Sequence, residues 1–384
     1  MSLNNCPVCS SPDALSVFKK SAMPCYNLER HESREVALAA RPGEIDSRFC
    51  RSCGFTYNAA FDPKVMDYQV DYENARSHSP RYLSYLGHIA STLAPYIPKG
   101  AASVVEVGCG SGEFLHALKP QTGAELWGFD PAIPEGTENK PGIHFVRDYY
   151  TKDSGPAPST IVLRHIMEHI QDPYFFLDSL LPKNSRPILY IEVPAWEWIA
   201  KRLSFYAFSY EHCSYYSENS LRRMLAKIGY EVRYCAFDFD NEYLSCVAMP
   251  GKSRPYREDL DELLKDTAAF AESLPSLMKT MRESFSPEHI LWGAAGKGTN
   301  LLNLIDCMYT DSPVVIDSNP RRAHTFIPRT GQEVIPPHEI SNWHPRKILL
   351  TNSAYRAEMK KTIAECGVTA DIVGLDEYLY RGVV

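Results

Sequence analysis

The chain has 384 residues, of which 44% are hydrophobic and 23% are charged, and its formal net charge is −7. This length predicts about two or three domains with a proper hydrophobic core. The negative charge and the lack of a Lys/Arg run argue against a nucleic-acid binder, which usually presents a basic surface to phosphates. No apolar stretch approaches the ~18 residues of a membrane span, and the start lacks a secretory signal, so we expect a cytoplasmic protein.

Two C-x₂-C pairs lie in the polar, irregular first 60 residues, Cys6 with Cys9 and Cys50 with Cys53. Each pair can present two thiolates from one tight turn, and two such turns complete a tetrahedral Zn²⁺ shell. Four cysteine ligands leave no position open for water, so we predict a structural zinc ion in this module. The alternative is four unrelated cysteines in a reduced protein. Cys25, alone between the pairs, is interpreted as a bystander.

The rest of the chain predicts two α/β units joined by a helix. Residues 61–95 are rich in tyrosine and end in a helical pattern. From residue 100 to about 250, the apolar runs "SVVEV", "ELWGFD", "STIVL" and "PILYIEV" alternate with helical stretches, as in a parallel sheet with covering helices. A charged helical connector follows, and the alternation of predicted strands and helices begins again at "HILWGAAGKG". We therefore expect an α/β fold with a module at 1–60, a larger unit at 61–250 and a smaller one at 251–384.

The strongest chemical pattern is "VVEVGCGSGEFLHAL", in which a strand ends near Glu106 and a glycine-rich turn opens a helix. The glycines allow the backbone to turn sharply and to approach a ligand closely. An acid before the first glycine suits a cationic amino-acid group better than a pyrophosphate. Asp130 ends the next strand, where a carboxylate can accept both hydroxyls of a ribose.

This ordered set resembles the class I S-adenosylmethionine-dependent methyltransferases, and "EHIQDP" at 168–173 adds a pattern common after the fourth strand of such enzymes. The resemblance implies a Rossmann-like methyltransferase domain with S-adenosylmethionine as cofactor. The residues expected to bind the cofactor are Glu106, Gly108, Cys109, Gly110, Gly112, Asp130, His165 and Glu168. His165 and His169 are interpreted as structural histidines at a helix start, with a metal-binding pair as the alternative.

The segment "AFSYEHCSYYS" at 207–217 gathers a carboxylate, an imidazole, a thiol and phenols after the strand of "YIEVP". Ligands bind at the carboxyl ends of strands in an open α/β sheet, which places this segment near a methyl acceptor. Methylation of carbon requires removal of a proton beside a carbonyl and stabilisation of the enolate. His212 can take that proton, Glu211 can orient the imidazole, and a tyrosine can donate to the oxyanion. The alternative is an aromatic loop that only packs against the sheet.

From the cysteine pairs to "WGAAGKGTNLLNLI", the order of motifs resembles the sugar C-methyltransferases of deoxysugar biosynthesis. That family has an N-terminal zinc domain, a central methyltransferase domain and a C-terminal Rossmann-like domain. It methylates C3 of nucleotide-linked 4-keto sugars through an enolate, with a histidine base in the motif E-H-x-x-Y-[FY]-S. The resemblance implies His212, Glu211, Tyr72 and Tyr210 as catalytic residues and Tyr215 and Tyr216 as substrate contacts. Family members commonly read Tyr-His-Glu-His where residues 209–212 read Ser-Tyr-Glu-His.

A second glycine loop, "WGAAGKGTN" at 292–300, follows a strand and opens a helix. Backbone N–H groups at a helix N-terminus suit an anion, and Lys297 adds positive charge. The resemblance implies that this loop helps to hold a nucleotide diphosphate. We therefore expect Gly296, Lys297 and Asn300 to contact the substrate, and the alternative is a packing turn without a ligand.

The sequence as a whole predicts a C-methyltransferase that acts next to a ketone, on a small molecule such as a nucleotide-linked keto-sugar and not on nucleic acid. One alternative is O- or N-methylation of a small polar natural product. Another is a non-catalytic assembly protein in which the methyltransferase fold only binds the cofactor.

Overall fold

Three β-sheets organise the residues that the computed structural model describes, namely 3–66, 79–100, 102–252 and 260–381. The strands are β1 (Ala14–Pro24), β2 (Pro42–Cys50), β3 (Thr56–Asn58), β4 (Ser103–Val107), β5 (Glu125–Phe129), β6 (Ile143–Val146), β7 (Thr160–Arg164), β8 (Ile188–Pro194), β9 (Ser214–Tyr215), β10 (Tyr230–Asp238), β11 (Tyr243–Pro250), β12 (His289–Trp292), β13 (Val314–Ile316), β14 (Glu333–Ile335), β15 (Lys347–Leu350) and β16 (Asp371–Gly374). The α-helices are α1 (Arg34–Leu38), α2 (Pro80–Leu93), α3 (Glu113–Leu118), α4 (Pro173–Leu180), α5 (Trp196–Lys201), α6 (Glu218–Lys227), α7 (Asp261–Ser284), α8 (Lys297–Leu304), α9 (Arg356–Glu365) and α10 (Leu375–Arg381).

The first sheet joins the N-terminal module to a distant segment of the chain. Its order is β1-β2-β3-β9, and each neighbouring pair is antiparallel. In β9, Ser214 pairs with Tyr57 and Tyr215 pairs with Thr56 of β3. The end of the "AFSYEHCSYYS" segment, which the sequence assigns to the larger α/β unit, therefore completes the sheet of the cysteine-rich module.

The central sheet has the order β10-β11-β8-β7-β4-β5-β6. Strands β4 to β8 run parallel, whereas β11 is antiparallel to both β8 and β10. The chain order reverses between β4 and β7, and ligands bind at the carboxyl ends of the strands at such a point. This order, with an antiparallel strand inserted beside β8, is that of the class I methyltransferases. The predicted fold class is therefore confirmed.

The third sheet has the order β14-β13-β12-β15-β16 and is parallel throughout. Its first strand, β12, is central, so the glycine loop after Trp292 begins where the chain order reverses. At Gly298, an added Cβ would lie 1.7 Å from the carbonyl oxygen of Gly293, so the tight turn requires glycine there. The predicted second, smaller α/β unit is present.

Helix α7 connects the two α/β units and also contacts the cysteine-rich module. Its buried residues Phe270 and Met281 lie in one hydrophobic cluster with Trp196 of α5 and Val17 of β1. The indole N–H of Trp196 donates to the hydroxyl of Thr267 on α7 over 3.0 Å. The predicted connector helix is thus part of a core that all three modules share.

Helix α6 begins at a serine cap and ends just before a glycine with positive φ. The side chain of Ser217 accepts a hydrogen bond from the backbone N–H of Ser220, and the reciprocal bond completes a capping box. Leu221 and Leu225 are buried, and Gly229 has a φ of 76° just after the helix. Among the described residues, no helix is both long and apolar enough to cross a membrane.

Candidate active site

A cavity of about 430 Å³ lies between the carboxyl ends of the central strands and the glycine loop of the C-terminal unit. All three modules contribute to its wall. The wall residues that the sequence had singled out are Glu106, Gly108, Cys109, Gly110, Asp130, His165, Glu168, His169, His212, Gly296, Lys297 and Asn300. The cofactor loop, the proton-handling segment and the second glycine loop therefore face one space.

The first glycine loop is fixed by its own backbone geometry and by the second acid. Gly108 has a φ of 70°, and an added Cβ would lie 2.2 Å from Cδ1 of Ile166. The backbone N–H of Gly110 donates to Oδ2 of Asp130 over 2.9 Å. Oδ1 of Asp130 accepts from the backbone N–H of Ala132. Gly112 is the N-cap of α3 and is not part of the cavity wall.

Glu106 is a buried carboxyl group with an unused hydrogen-bonding position. Its side chain lines the cavity, and Oε2 has no hydrogen-bond partner among the described residues. Burial raises the pKa of Glu106 to about 8, although the Arg164 guanidinium, 3.8 Å from Oε1, acts in the opposite direction. A buried acceptor without a partner fits the ammonium group of an amino-acid ligand, as the sequence predicts for this position.

Behind the cofactor loop lies a buried ion pair that the sequence analysis missed. Nη2 of Arg164 donates to Oε1 of Glu192 over 2.9 Å, and the hydroxyl of Tyr85 donates to Oε2 over 2.7 Å. Burial alone would raise the pKa of Glu192, but Arg164 and His165 hold it well below its usual range. Arg164 and Glu192 end adjacent parallel strands and are direct partners in the register. The register of β7 against β8 is the signal that could have found them.

His165 lies between two carboxylates rather than beside a second histidine. Its Nδ1 is 3.1 Å from Oε1 of Glu168, and its Nε2 is 3.2 Å from Oε1 of Glu192. Burial opposes protonation, yet these two partners raise the pKa of His165 to about 9. The residue has a φ of 53°, an uncommon backbone state for a non-glycine residue. This geometry gives an imidazolium that braces the cavity wall and favours the structural interpretation over a metal pair with His169.

Glu211 and His212 occupy different positions relative to the cavity. His212 lines it, with its ring edge-on to that of His169 and 4.9 Å between the centroids. Glu211 is fully buried behind the wall, with Oε2 3.9 Å from Nδ1 of His169. Its Oε1 accepts a hydrogen bond of 2.8 Å from the backbone N–H of Asn27. The arrangement places an imidazole at the cavity and a carboxylate behind it.

A second set of groups in the wall could also hold a cation. Ligand atoms of Glu168, His169 and His212 all lie within 4.8 Å of one another. Oε2 of Glu168 is buried and has no hydrogen-bond partner among the described residues. Two imidazoles and a carboxylate are suitable ligands for a divalent transition metal.

The tyrosines of the segment point away from the cavity. The hydroxyl of Tyr210 accepts from the backbone N–H of Asp62 over 3.0 Å, and its ring packs on Phe61. The hydroxyl of Tyr215 accepts from the backbone N–H of Ser209, and Tyr216 is buried against Phe55. None of these three tyrosines lines the cavity described here. For Tyr215 the reason is β9, whose pairing with β3 takes it into the first sheet. The catalytic role of Tyr210 and the substrate contacts of the other two stay predictions.

Tyr72, the other predicted catalytic tyrosine, lies outside the described residues.

At position 209, where the resembling family has a tyrosine, the Ser209 hydroxyl accepts a hydrogen bond from the backbone N–H of His212 over 3.1 Å. The short side chain thus supports the turn that carries the histidine.

The second glycine loop faces the cavity, but its lysine already has a partner. Nζ of Lys297 lies 2.8 Å from Oε1 of Glu242 and 4.9 Å from the ring centroid of Trp198. The side chain of Asn300 donates to the carbonyl of Tyr206 over 3.3 Å. Glu242 and Trp198 also line the cavity and were not predicted, since they come from a hairpin and a short helix without a motif.

The four paired cysteines come together in the N-terminal module. Sγ of Cys6 is 3.6 Å from Sγ of Cys53, and Sγ of Cys9 is 3.4 Å from Sγ of Cys50. Zn–S bonds of about 2.3 Å in a tetrahedron place neighbouring sulfurs about 3.8 Å apart. All four sulfurs lie within 4.8 Å of one another, and Cys25 is not among them. The donor set and its spacing fit a four-thiolate zinc site.

Comparison with known proteins finds matches in two regions of the chain. Residues 76–234 match a family model described as a methyltransferase domain, and residues 260–369 match one described as a C-methyltransferase C-terminal domain. None of the curated proteins compared with the chain matches it at a significant level.

Several solved methyltransferase structures are similar to part of the chain. The plantazolicin methyltransferase BpumL, with a substrate analogue and S-adenosylhomocysteine, is 17% identical over 45% of this chain and 84% of its own, with a TM-score of 0.34. The 1,6-didemethyltoxoflavin-N1-methyltransferase of Burkholderia thailandensis is 14% identical over 48% of this chain and 94% of its own, with a TM-score of 0.32. The mitomycin 7-O-methyltransferase MmcR is 15% identical over 46% of this chain and 56% of its own, with a TM-score of 0.34.

The first match contains β4 to β9 and ends within β10, and the second contains β12 to β15 of the third sheet. Glu106 and Asp130, the carboxylates expected for the cofactor, lie within the first match and line the cavity. The chain is therefore an S-adenosylmethionine-dependent methyltransferase, and its residues 260–369 are similar to a C-methyltransferase C-terminal domain.

Proposed function

We propose that the enzyme methylates a carbon atom next to a ketone, with His212 as the base. The observation that carries this proposal is the position of His212 in the same cavity as the cofactor loop. The match of residues 260–369 to a C-methyltransferase C-terminal domain supports carbon as the acceptor atom. The pattern of residue types also supports it, since an imidazole with a buried carboxylate behind it suits the removal of a C–H proton.

In this proposal, His212 accepts the proton from the carbon beside the carbonyl, and the electron pair moves to the carbonyl oxygen as an enolate. The carboxylate of Glu211 lies behind the imidazoles of His169 and His212 and polarises them. Tyr72 is the proposed hydrogen-bond donor to the enolate oxygen. Glu106 and Asp130 would hold S-adenosylmethionine, which would supply the electrophilic methyl group to the enolate carbon. General-base help of this kind is worth roughly 10²–10⁴ in rate.

We further propose a nucleotide-linked keto-sugar, or a related metabolite, as the substrate. Gly296, Lys297 and Asn300 line the cavity opposite the cofactor loop, where a phosphate could meet the start of α8. Lys297 is paired with Glu242, so a phosphate would gain this charge by competing with the carboxylate. The zinc ion proposed for the four-cysteine cluster has a structural role, because its four thiolates leave no open position.

The experiment is hydrogen exchange at the acceptor without cofactor. The enzyme is incubated in D₂O with a panel of 4-keto nucleotide sugars, and deuterium uptake is followed by mass spectrometry. Uptake at the carbon beside the ketone is expected for the native enzyme and should be lost in His212→Gln. His338→Gln is the control, since His338 is exposed and is not part of the cavity wall. Methyl transfer to a panel member without any prior exchange, by native enzyme and His212→Gln alike, would reject the proposed base.

A further inference from the structure

The cysteine-rich module reaches into the active site through one loop. Asn27 lies between β1 and α1, and its backbone N–H donates to Oε1 of Glu211, 184 positions further along the chain. Both residues are buried, with 4% and 0% of their surface exposed. We propose that Asn27 is a positioning residue for Glu211, so that the N-terminal module is part of the active site. This inference rests on the proposed function, in which Glu211 supports the base.

The bond from Asn27 can fix which way the carboxylate faces. A hydrogen bond to an ionised group is shorter and stronger than one between neutral groups, and it holds the acceptor in one orientation. With Oε1 on Asn27, Oε2 faces His169, 3.9 Å from Nδ1. His169 in turn lies edge-on to His212. Rotation of the Glu211 carboxylate would therefore alter the surroundings of both imidazoles.

The loop that carries Asn27 is itself held by the C-terminal unit. The side-chain amide of Asn27 donates to Oδ1 of Asn300 over 3.2 Å, and Asn300 is tied to the carbonyl of Tyr206. The next carbonyl, that of Leu28, accepts from Nη2 of the buried Arg322 over 3.0 Å. Two hydrogen bonds from the C-terminal unit therefore fix the position of this loop and of the Asn27 backbone N–H. Residues from all three modules thus contact one another at Asn27 and Leu28.

The test uses Asn27→Ala in the full chain, which keeps the backbone N–H but removes the side-chain anchor. We expect kcat to fall on the order of tenfold to a hundredfold, because small misplacements of a catalytic group have effects of this size. The KM for S-adenosylmethionine should stay unchanged, because the hydrogen bonds described for Asn27 go to Glu211 and Asn300 and not to Glu106 or Asp130. A merely structural role would not separate kcat from KM in this way.

Two further variants sharpen the result. Asn303→Ala is the matched control, because Asn303 is also a buried asparagine of α8, bonded to the carbonyls of Thr299 and Pro328 and outside the cavity wall. It should keep the native kcat. The double variant Asn27→Ala with Asn300→Ala should be no slower than the slower single variant, because both substitutions break the same bond.

The outcomes separate this inference from the proposed function. Native kcat in Asn27→Ala, with His212→Gln inactive, would overturn the positioning role and leave the base assignment intact. Multiplicative losses in the double variant would also overturn it, since the two residues would then act independently. Full activity in His212→Gln would reject the proposed function itself.

Discussion

Arg164 and Glu192 form a buried ion pair, with 2.9 Å between Nη2 and Oε1, at the carboxyl ends of the two central strands β7 and β8. The pair lies under the cofactor loop, since Nη1 of the same arginine is 3.8 Å from Glu106. His165 adds a second positive group to Glu192. One buried network therefore connects the proposed cofactor carboxylate to the cavity wall.

Removal of the arginine should destabilise the fold strongly. Arg164→Met leaves the buried carboxylate of Glu192 without its guanidinium partner, and breaking one side of a buried pair typically costs about 3–5 kcal/mol. Urea denaturation should show this loss in the free energy of unfolding. The control is Arg346→Met, whose partner Glu288 is exposed, and such pairs are worth roughly 0–1 kcal/mol. Equal effects in the two variants would contradict the buried network.

Cofactor binding should depend on pH through Glu106. Its pKa is about 8 in the free enzyme, so the carboxyl is protonated at neutral pH and must lose its proton to pair with an ammonium group. Affinity should then rise with pH and level off above about 8. Fold stability changes in the opposite direction: the contribution of Glu106 is complete below the unfolded pKa and is lost as pH rises towards 8.

Calorimetry in buffers of different ionisation enthalpy can count the proton released on binding at pH 7. Glu106→Gln should bind the cofactor more weakly and release no proton. Asp130→Asn should also weaken binding but keep the proton release. If both variants retain the native release, another group is responsible for the pH dependence.

The four-cysteine cluster should contain one zinc ion per chain. Structural zinc contributes roughly 10–16 kcal/mol of apparent binding free energy in small modules, so Cys50→Ala should lose the metal and much of the stability of the N-terminal module. Cys25→Ala is the matched control, because Cys25 is buried nearby but outside the cluster. Metal analysis of the purified variants gives the result. Zinc loss from Cys25→Ala, or full zinc in Cys50→Ala, would contradict the site.

Tyr210 should contribute to stability rather than to turnover. Tyr210→Phe removes the hydroxyl that bonds the backbone of Asp62, which should cost about 1 kcal/mol. The melting temperature should fall while kcat stays native. A large drop in kcat with an unchanged melting temperature would contradict this and would support the catalytic role of Tyr210 that the family resemblance implies.

Local patterns predicted the parts of the site that a few consecutive residues form. The glycine turn after β4 and Asp130 just after β5 each depend on neighbours in the chain. The direction of Tyr210 could not be predicted in this way, because its contacts with Phe61 and the backbone of Asp62 join segments that are distant in sequence. The resemblance supplied residue types at these positions but not their orientation.

Contacts between distant segments account for what the sequence did not show. Asn27 meets Glu211 only because the first sheet and the C-terminal unit hold its loop, and no motif marks Asn27, although Glu211 belongs to the motif E-H-x-x-Y-[FY]-S. Glu242 reaches Lys297 from a hairpin turn with positive φ angles at 239–241. The contact between Arg164 and Glu192 could be predicted more readily, because the register of two parallel strands places these residues side by side.

The central claim is methyl transfer to carbon in the cavity that His212 and the cofactor loop share. Its most direct test is turnover with S-adenosylmethionine labelled with ¹³C in the methyl group, followed by NMR of the product from the panel of 4-keto nucleotide sugars. The proposal predicts a labelled methyl group bonded to the carbon beside the ketone, and no such product from His212→Gln. A labelled methyl group on oxygen or nitrogen, formed equally well by both proteins, would contradict it.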